Sequence, residues 1–307
     1  MHIAFIHNQL AFLPEIVAYE RFFSARGISS EVIGRRHLQR IKPDVAWHFM
    51  GVDRMKDSPA RITIHEYTSA SVRPLAGLKD RYKRVFNTKP DYRLFLNKYV
   101  ENALGFTDNI PSGIRDMGIP EDWLQQPSSA PKEYDFIYTG EWKNRRIHQL
   151  LEIFATGSLQ GHSLLVVSKD LAEIRHQYES SSNIHFKGPV LHEQIREWIL
   201  QARFGINFIP DIPPFNHQTS TKLLEYAACG VPVITTDYEW VRHFQQTYGG
   251  KFYFLAKDVS NFTWDKVQSF DYGFPDMQPL TWEKQITGSG IPGFLGRHFP
   301  GINFTTL

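Results

Sequence analysis

At 307 residues the chain is long for one hydrophobic core and comfortable for two domains of ordinary size. A hydrophobic share of 42% with 14% aromatics excludes a disordered chain. A formal net charge of +2 excludes nucleic acid as the main partner, and no apolar run approaches the roughly 20 residues that span a bilayer. The single cysteine, Cys229, cannot form an internal disulfide, so the expected setting is reducing and cytoplasmic. Met1 to His7 runs straight into a strand pattern without a basic lead, and reads as no signal peptide.

His2 to His7 reads as a buried strand, and Leu13 to Arg26 as a helix with Ile16, Tyr19 and Phe23 on one face and Gly27 at its exit. Ser30 to Gly34, Val45 to Met50, Ile62 to His65 and Arg93 to Leu96 follow as short apolar strands. From Arg73 to Arg93, cations Lys79, Arg81, Lys83, Arg84 and Lys89 interleave with Leu75, Leu78, Tyr82, Val85 and Phe86. This basic amphipathic element has two readings, a helix packed on its own domain with a solvated basic face, or a peripheral membrane contact through 73–93.

Between Gly118 and Glu133 the pattern lapses into a turn-rich polar stretch, where a domain boundary is expected. Alternation then restarts with strand Phe136 to Thr139, a helix with Ile147, Leu150, Leu151 and Phe154 on one face, and strand Leu164 to Ser168. A helix from Asp170 to about Glu179, strand Ile184 to Lys187, a helical stripe of Ile195, Trp198, Ile199 and Ala202, and strand Gly205 to Ile209 come next. Val233 to Thr235 and Phe252 to Leu255 complete the strands, and Trp282 to Ile286 is a short helical candidate in a tail rich in Gly and Pro. Strands alternating with helices imply α/β domains with parallel sheets covered on both faces. The expected fold is two Rossmann-like parallel-sheet domains facing across a cleft, spanning 1–125 and 126–270, with a tail at 271–307.

Ligands of such sheets bind beyond the carboxyl ends of strands, so strand ends are the candidate sites. Thr219, Ser220 and Thr221 can cap a helix start, Gly230 suits a left-handed exit, and Pro232 stops the helix before a β-branched strand. On that helix Glu225 leans back toward the first-turn amides of Thr219 to Lys222, an acid beside a ready-made anion site. Gly140 ends a strand and Lys143, Arg145 and Arg146 follow, a set suited to neutralise a departing pyrophosphate. Lys222 is a further phosphate candidate.

Lys222-Leu-Leu-Glu225-Tyr-Ala-Ala-Cys229-Gly230-Val-Pro-Val-Ile234 resembles the donor-binding signature of retaining glycosyltransferases of GT-B architecture, the family 4-like enzymes of glycosyl transferases group 1. The resemblance implies that Glu225 contacts the donor ribose, as the second acid of an E-x7-E pattern does. The first acid of that pattern falls on His217, a departure from the family. It also implies that Arg145 or Arg146, with Lys143, holds the diphosphate, and that His65 touches the donor sugar near the reacting carbon. Glu66 stands beside His65, and His7, Asn8 and Asn97 are acceptor-side candidates at strand ends.

The expected activity is transfer of a sugar from a UDP- or GDP-sugar to a glycan or lipid-linked acceptor, with retention, at the inner face of a membrane. No cofactor and no metal are expected. No G-x-G-x-x-G follows the first strand, no P-loop occurs, and no D-x-D, H-E-x-x-H or Cys-His cluster is present. Two rival readings are a sugar-nucleotide epimerase of the same architecture and a non-catalytic glycan- or nucleotide-binding protein.

Overall fold

A computed structural model describes residues 1–7, 13–49, 51, 58–72, 74–124 and 131–304. The acceptor-side candidate Asn8, as well as Met50, Arg73 and the expected boundary at 125/126, lies outside them. The chain forms two compact units, one of Met1–Gly118 with Leu280–Leu307, the other of Ile119–Pro279. Residues 119–124 thus cluster with the second unit, and the segment from Leu280 onward with the first.

The first unit opens with β1 (His2–Ile6), α1 (Pro14–Ser24), β2 (Ser29–Ile33), α2 (Leu38–Ile41) and β3 (Val45–Phe49). It continues with β4 (Ile62–Tyr67), α3 (Ala76–Phe86), β5 (Tyr92–Phe95), α4 (Lys98–Leu104) and β6 (Ser112–Ile114). The order is β2-β1-β3-β4-β5-β6, and every pairing is parallel. Pro14 sits in the first turn of α1, where its missing N–H costs nothing, and Gly27 takes φ +69 just beyond the helix. The inward face of α1 sets Tyr19 against Trp47 at 4.4 Å between ring centroids, and Phe5 meets Trp47 edge-on at 5.5 Å.

The second unit holds β7 (Tyr134–Thr139), α5 (His148–Ala155), β8 (Leu164–Val167), α6 (Ala172–Gln177) and β9 (Ile184–Lys187). Then come α7 (His192–Leu200), β10 (Ala202–Asn207), α8 (Thr221–Ala228), β11 (Val233–Thr236) and α9 (Glu239–Tyr248). Strand β12 (Gly249–Lys251), β13 (Tyr253–Leu255), α10 (Trp264–Ser269) and β14 (Gly273–Pro275) finish it. The main sheet runs β13-β11-β10-β7-β8-β9, again parallel throughout. Phe136, at its centre, meets Phe154 and Phe262 edge-on at 5.2 and 5.5 Å. Ala202, expected in a helical stripe, instead begins β10, because the turn at Gln201 ends α7 first.

The tail returns as α11 (Trp282–Gly288) and α12 (Ile291–His298). Glycines admit it: a Cβ on Gly113 would strike the Ser289 carbonyl, and one on Gly118 would lie 2.8 Å from the Trp282 ring. Tyr92 donates its hydroxyl to that same Ser289 carbonyl at 2.9 Å. Among the described residues no helix is long and apolar enough to cross a membrane.

Candidate functional site

In the second sheet, β7 leads outward to β8 and β9, whereas β10 returns to β7's other side and leads on to β11 and β13. The loops leaving β7 and β10 therefore part at a topological switch point, which opens a crevice beyond the strand ends. The loop after β7 carries Gly140 to Arg146, and the segment after β10 leads into α8.

Helix α8 is pinned there by its own side chains. Tyr226 lies flat on Gly205, whose hypothetical Cβ would stand 2.5 Å from the ring, and its hydroxyl accepts the Thr139 amide at 2.9 Å. Glycine in β10 is thus what lets the helix approach the strand. Tyr226→Phe is expected to strand the buried Thr139 N–H and cost about 1–3 kcal/mol in the urea unfolding of the second unit. A change below a few tenths would mean that the hydroxyl does not tie α8 to β7.

Ser220 occupies the N-cap of α8, but its hydroxyl donates to Asn207 Oδ1 at 2.7 Å and accepts no helix amide. The expected Ser220 side-chain cap is not made. Asn207 in turn donates to Thr235 Oγ1 and to the Tyr238 hydroxyl, both at 2.9 Å, so a buried polar network ties β10, β11 and the start of α8 together. Diverting Ser220 leaves the amides of Thr221 and Lys222 uncapped by it. Thr219 and Thr221 are half-buried at this helix start, and Gly230 makes the left-handed exit with φ +65.

Lys222 is buried, its Nζ 3.9 Å over the Tyr138 ring and without a hydrogen-bond partner among the described residues. Burial, then the charge of Arg145, depresses its basicity well below the ordinary lysine value, while Glu225 and Glu141 oppose them more weakly. Arg145 lies 4.1 Å over the Phe215 ring, and its buried Nη1 likewise has no partner among the described residues. Two buried cationic groups without partners mark a place for an anion. Gly140, with φ +101, keeps the wall open: a Cβ there would meet the end of Lys222 at 3.7 Å.

The other cations of this loop behave differently. Lys143 is exposed with its Nζ 5.5 Å over the Trp142 ring, and Arg146 is exposed in a left-handed turn at φ +55. They occupy a 3-10 turn at Lys143–Arg145 and its exit, before α5 begins at His148, and so do not oppose that helix's dipole. Arg145 and Arg146 also border a cavity of about 290 Å³ shared with Asp211, Thr236, Asp237 and Lys257.

Glu225 Oε1 accepts from His192 Nε2 at 2.8 Å, and the His192 ring stacks on Trp123 at 5.7 Å. Neither His192 nor Trp123 was legible, because no spacing joins position 192 or 123 to 225. His217 Nδ1 stands 3.1 Å from Glu239 Oε1 at the start of α9. Among the described residues no three His, Cys, Asp or Glu converge as metal ligands.

The first unit's candidates fare otherwise. Its switch point lies between β1 and β3, and the residues that follow, 8–12 and 52–57, are outside those described. His7 is half-buried at the end of β1, its basicity lowered by burial. β4 runs on through Glu66 and Tyr67, so His65 does not close the strand; it is fully buried, its ring 5.5 Å from His48. Desolvation first, then His48, Arg93 and Arg35, holds it well below the ordinary histidine range and hence neutral. Glu66 is not at an open edge: it accepts Trp47 Nε1 at 2.8 Å and is ion-paired with Arg115, all within the core. Asn97 caps α4, its Oδ1 accepting the Val100 amide at 3.0 Å.

Residues 133–264 match the model of the family described as Glycosyl transferases group 1. No curated protein matches the chain. Among solved structures it is similar to AviGT4, a glycosyltransferase involved in avilamycin A biosynthesis, at 14% identity over 98% of this chain and 96% of that one, with a TM-score of 0.57. It is similar to Anabaena HepE in complex with UDP-glucose at 10% identity over 88% and 89%, TM-score 0.61. A UDP-N-acetylglucosamine 2-epimerase from Rickettsia bellii matches at 11% identity over 99% and 98%, TM-score 0.58. At such identities the likeness shows the fold.

Proposed function

We propose that this chain, whose residues 133–264 match the glycosyl transferases group 1 model and whose fold is that of GT-B structures, is a glycosyltransferase that moves a sugar from a nucleotide diphosphate sugar to a glycan or lipid-linked glycan. The observation that carries the reading is the pair of buried cationic nitrogens, Lys222 Nζ and Arg145 Nη1, that have no partner among the described residues, beside the first turn of α8.

Breaking a glycosidic bond to a nucleotide leaves negative charge on the diphosphate, and fixed donors aimed at that charge lower the barrier. Lys222, Arg145 and the amides of Thr221 and Lys222 supply those donors without reorganisation, which is why no metal is invoked. Glu225 receives the ribose hydroxyls while His192 holds its carboxylate in place. Transfer proceeds with retention, the departing phosphate oxygen taking the acceptor proton. UDP- or GDP-sugars are the proposed donors; among the relatives, HepE is described with UDP-glucose. A lipid-linked acceptor would bring the enzyme to the inner face of a membrane.

Thermal unfolding with UDP, GDP, ADP, CMP or TDP, with and without chelator, tests the donor site. A ligand at 100 times its Kd stabilises the fold by roughly 2.7 kcal/mol. One of UDP or GDP is expected to raise the midpoint, to survive chelation and to lose its effect in Glu225→Ala. Stabilisation by none of them would sink the reading and favour a binding protein for another ligand. With donor and acceptor in hand, an inverted product would overturn retention, and turnover of donor without acceptor would indicate an epimerase.

A further inference from the structure

Helix α3 in the first unit is built the wrong way round for a solvated surface helix. Only Asp80 is buried along it, whereas Leu75, Leu78 and Val85 are 66%, 60% and 62% exposed. Phe86 and Tyr82, their rings tilted against each other at 4.5 Å between centroids, are 51% and 37% exposed. At ~100° per residue, positions 78, 82, 85 and 86 share one face of the helix and position 80 falls on the opposite one, with Leu75 just before the helix at its N-cap.

The inward acid explains the orientation. Asp80 accepts the Ser71 amide at 3.2 Å and pairs with Lys83 Nζ at 3.3 Å, so one carboxylate clamps the helix to the preceding loop by its polar side. The apolar stripe is left pointing outward. Of the two sequence readings of 73–93, the helix packed on its own domain with a solvated basic face is met in part: α3 is tied to its own unit through Asp80 and its cations are exposed, but so is its apolar stripe.

Cations flank the stripe. Lys79 and Arg81 are exposed at its margins and Lys89 just beyond the helix end, while Arg84 turns away to donate to the Gly105 carbonyl at 3.0 Å and the acid of the helix is turned inward, so the outward face is apolar at its centre and positive at its margins. A contiguous apolar patch on a monomer marks an interaction surface. Apolar centre with a cationic rim and no exposed acid on the helix is complementary to an anionic lipid bilayer, whose acyl boundary takes the stripe and whose phosphates take the rim.

We infer that α3 seats this protein on anionic phospholipid membranes, with Leu75, Leu78, Val85 and Phe86 inserted below the headgroups. The surface belongs to the first unit and acts independently of the donor site. Seating there would present a lipid-borne acceptor at the water interface.

Flotation of the full chain with phosphatidylcholine vesicles, pure or about one-third phosphatidylglycerol, tests this. Binding is expected only to the anionic vesicles and is weakened by salt. Lys79→Ser/Arg81→Ser/Lys89→Ser should weaken partition on the order of a hundredfold, each cation near such a surface contributing roughly fivefold. Leu78→Ser/Val85→Ser/Phe86→Ser should abolish flotation while the thermal midpoint and nucleotide binding persist, since these side chains are outward. Equal flotation on pure phosphatidylcholine, or no flotation at all, would overturn the inference. So would a chain that is dimeric in sedimentation velocity and becomes monomeric in the apolar variant without having bound vesicles, which would assign the stripe to a second copy.

Discussion

Lys222→Met is expected to lower kcat by roughly two to three orders of magnitude, the usual cost of removing one donor aimed at developing charge. The same substitution is expected to stabilise the second unit. In the fold Lys222 has lost water and found no hydrogen-bond acceptor among the described residues, and its basicity lies well below the ordinary 10.5. Between the depressed folded value and 10.5 the unfolded chain binds more protons than the folded one, so stability rises with pH through that window and is penalised in full below it. Methionine of similar volume removes the penalty, and the midpoint should rise by about 2–4 °C per kcal/mol relieved. A diphosphate at the site favours the charged amine, so binding takes up a proton and weakens as pH climbs through the lower range. Arginine at 222 stays charged and should flatten that pH dependence. Calorimetric titration of UDP and GDP against pH reads it; a wild-type profile as flat as that of Lys222→Arg would remove Lys222 from the anion site.

Much of the second unit was legible because its signals are local. Hydroxyls before an apolar run, Gly230 after it and Pro232 beyond placed α8 and the strand after it, and a glycine before clustered cations marked the loop after β7. What escaped were partners brought in from elsewhere in the chain. His192 and Trp123 meet Glu225 only through the sheet order, and Asn207 claims the Ser220 hydroxyl that local capping rules assign to the helix. Helix α9 was missed although Trp240, Val241, Phe244 and Tyr248 keep a helical spacing, because the aromatic content resembles a strand. Three-residue β6 carries no period at all; it exists because Gly113 admits the Ser289 carbonyl.

The strand end expected at His65 lies two residues further on, and the surroundings of Glu66 lead to the largest stability effect expected here. An acid beside a histidine at an apparent strand end looks like chemistry, but β4 continues and Glu66 faces the core. There Arg115, 1% exposed, donates Nε to the Tyr19 hydroxyl at 2.9 Å, reaches Glu15 at 3.4 Å and pairs with Glu66. Two carboxylates share one guanidinium in a site without water access, and burial raises Glu15 above its ordinary 4.5 despite Arg115. Arg115→Met should therefore cost about 3–5 kcal/mol at neutral pH, because it leaves buried acids without a cation. The sign of its pH dependence follows from the raised value: a folded state that keeps its proton longer than the unfolded chain has that stability in full below 4.5 and loses it as pH rises through the folded value. Removing the cation drives the Glu15 carboxyl further up, so the deficit of the variant should be small near pH 5 and large near pH 8. Urea unfolding followed by tryptophan fluorescence measures it, since Trp47 donates to Glu66 at 2.8 Å and reports on the network. Neutralising the acids in Arg115→Met/Glu15→Gln/Glu66→Gln should restore most of the loss at the higher pH. A deficit equal at both pH values and unrelieved by the two glutamines would mean that Arg115 matters through packing against Tyr19 and Trp282, whose rings lie 5.6 and 5.5 Å from its guanidinium, and not through its charge.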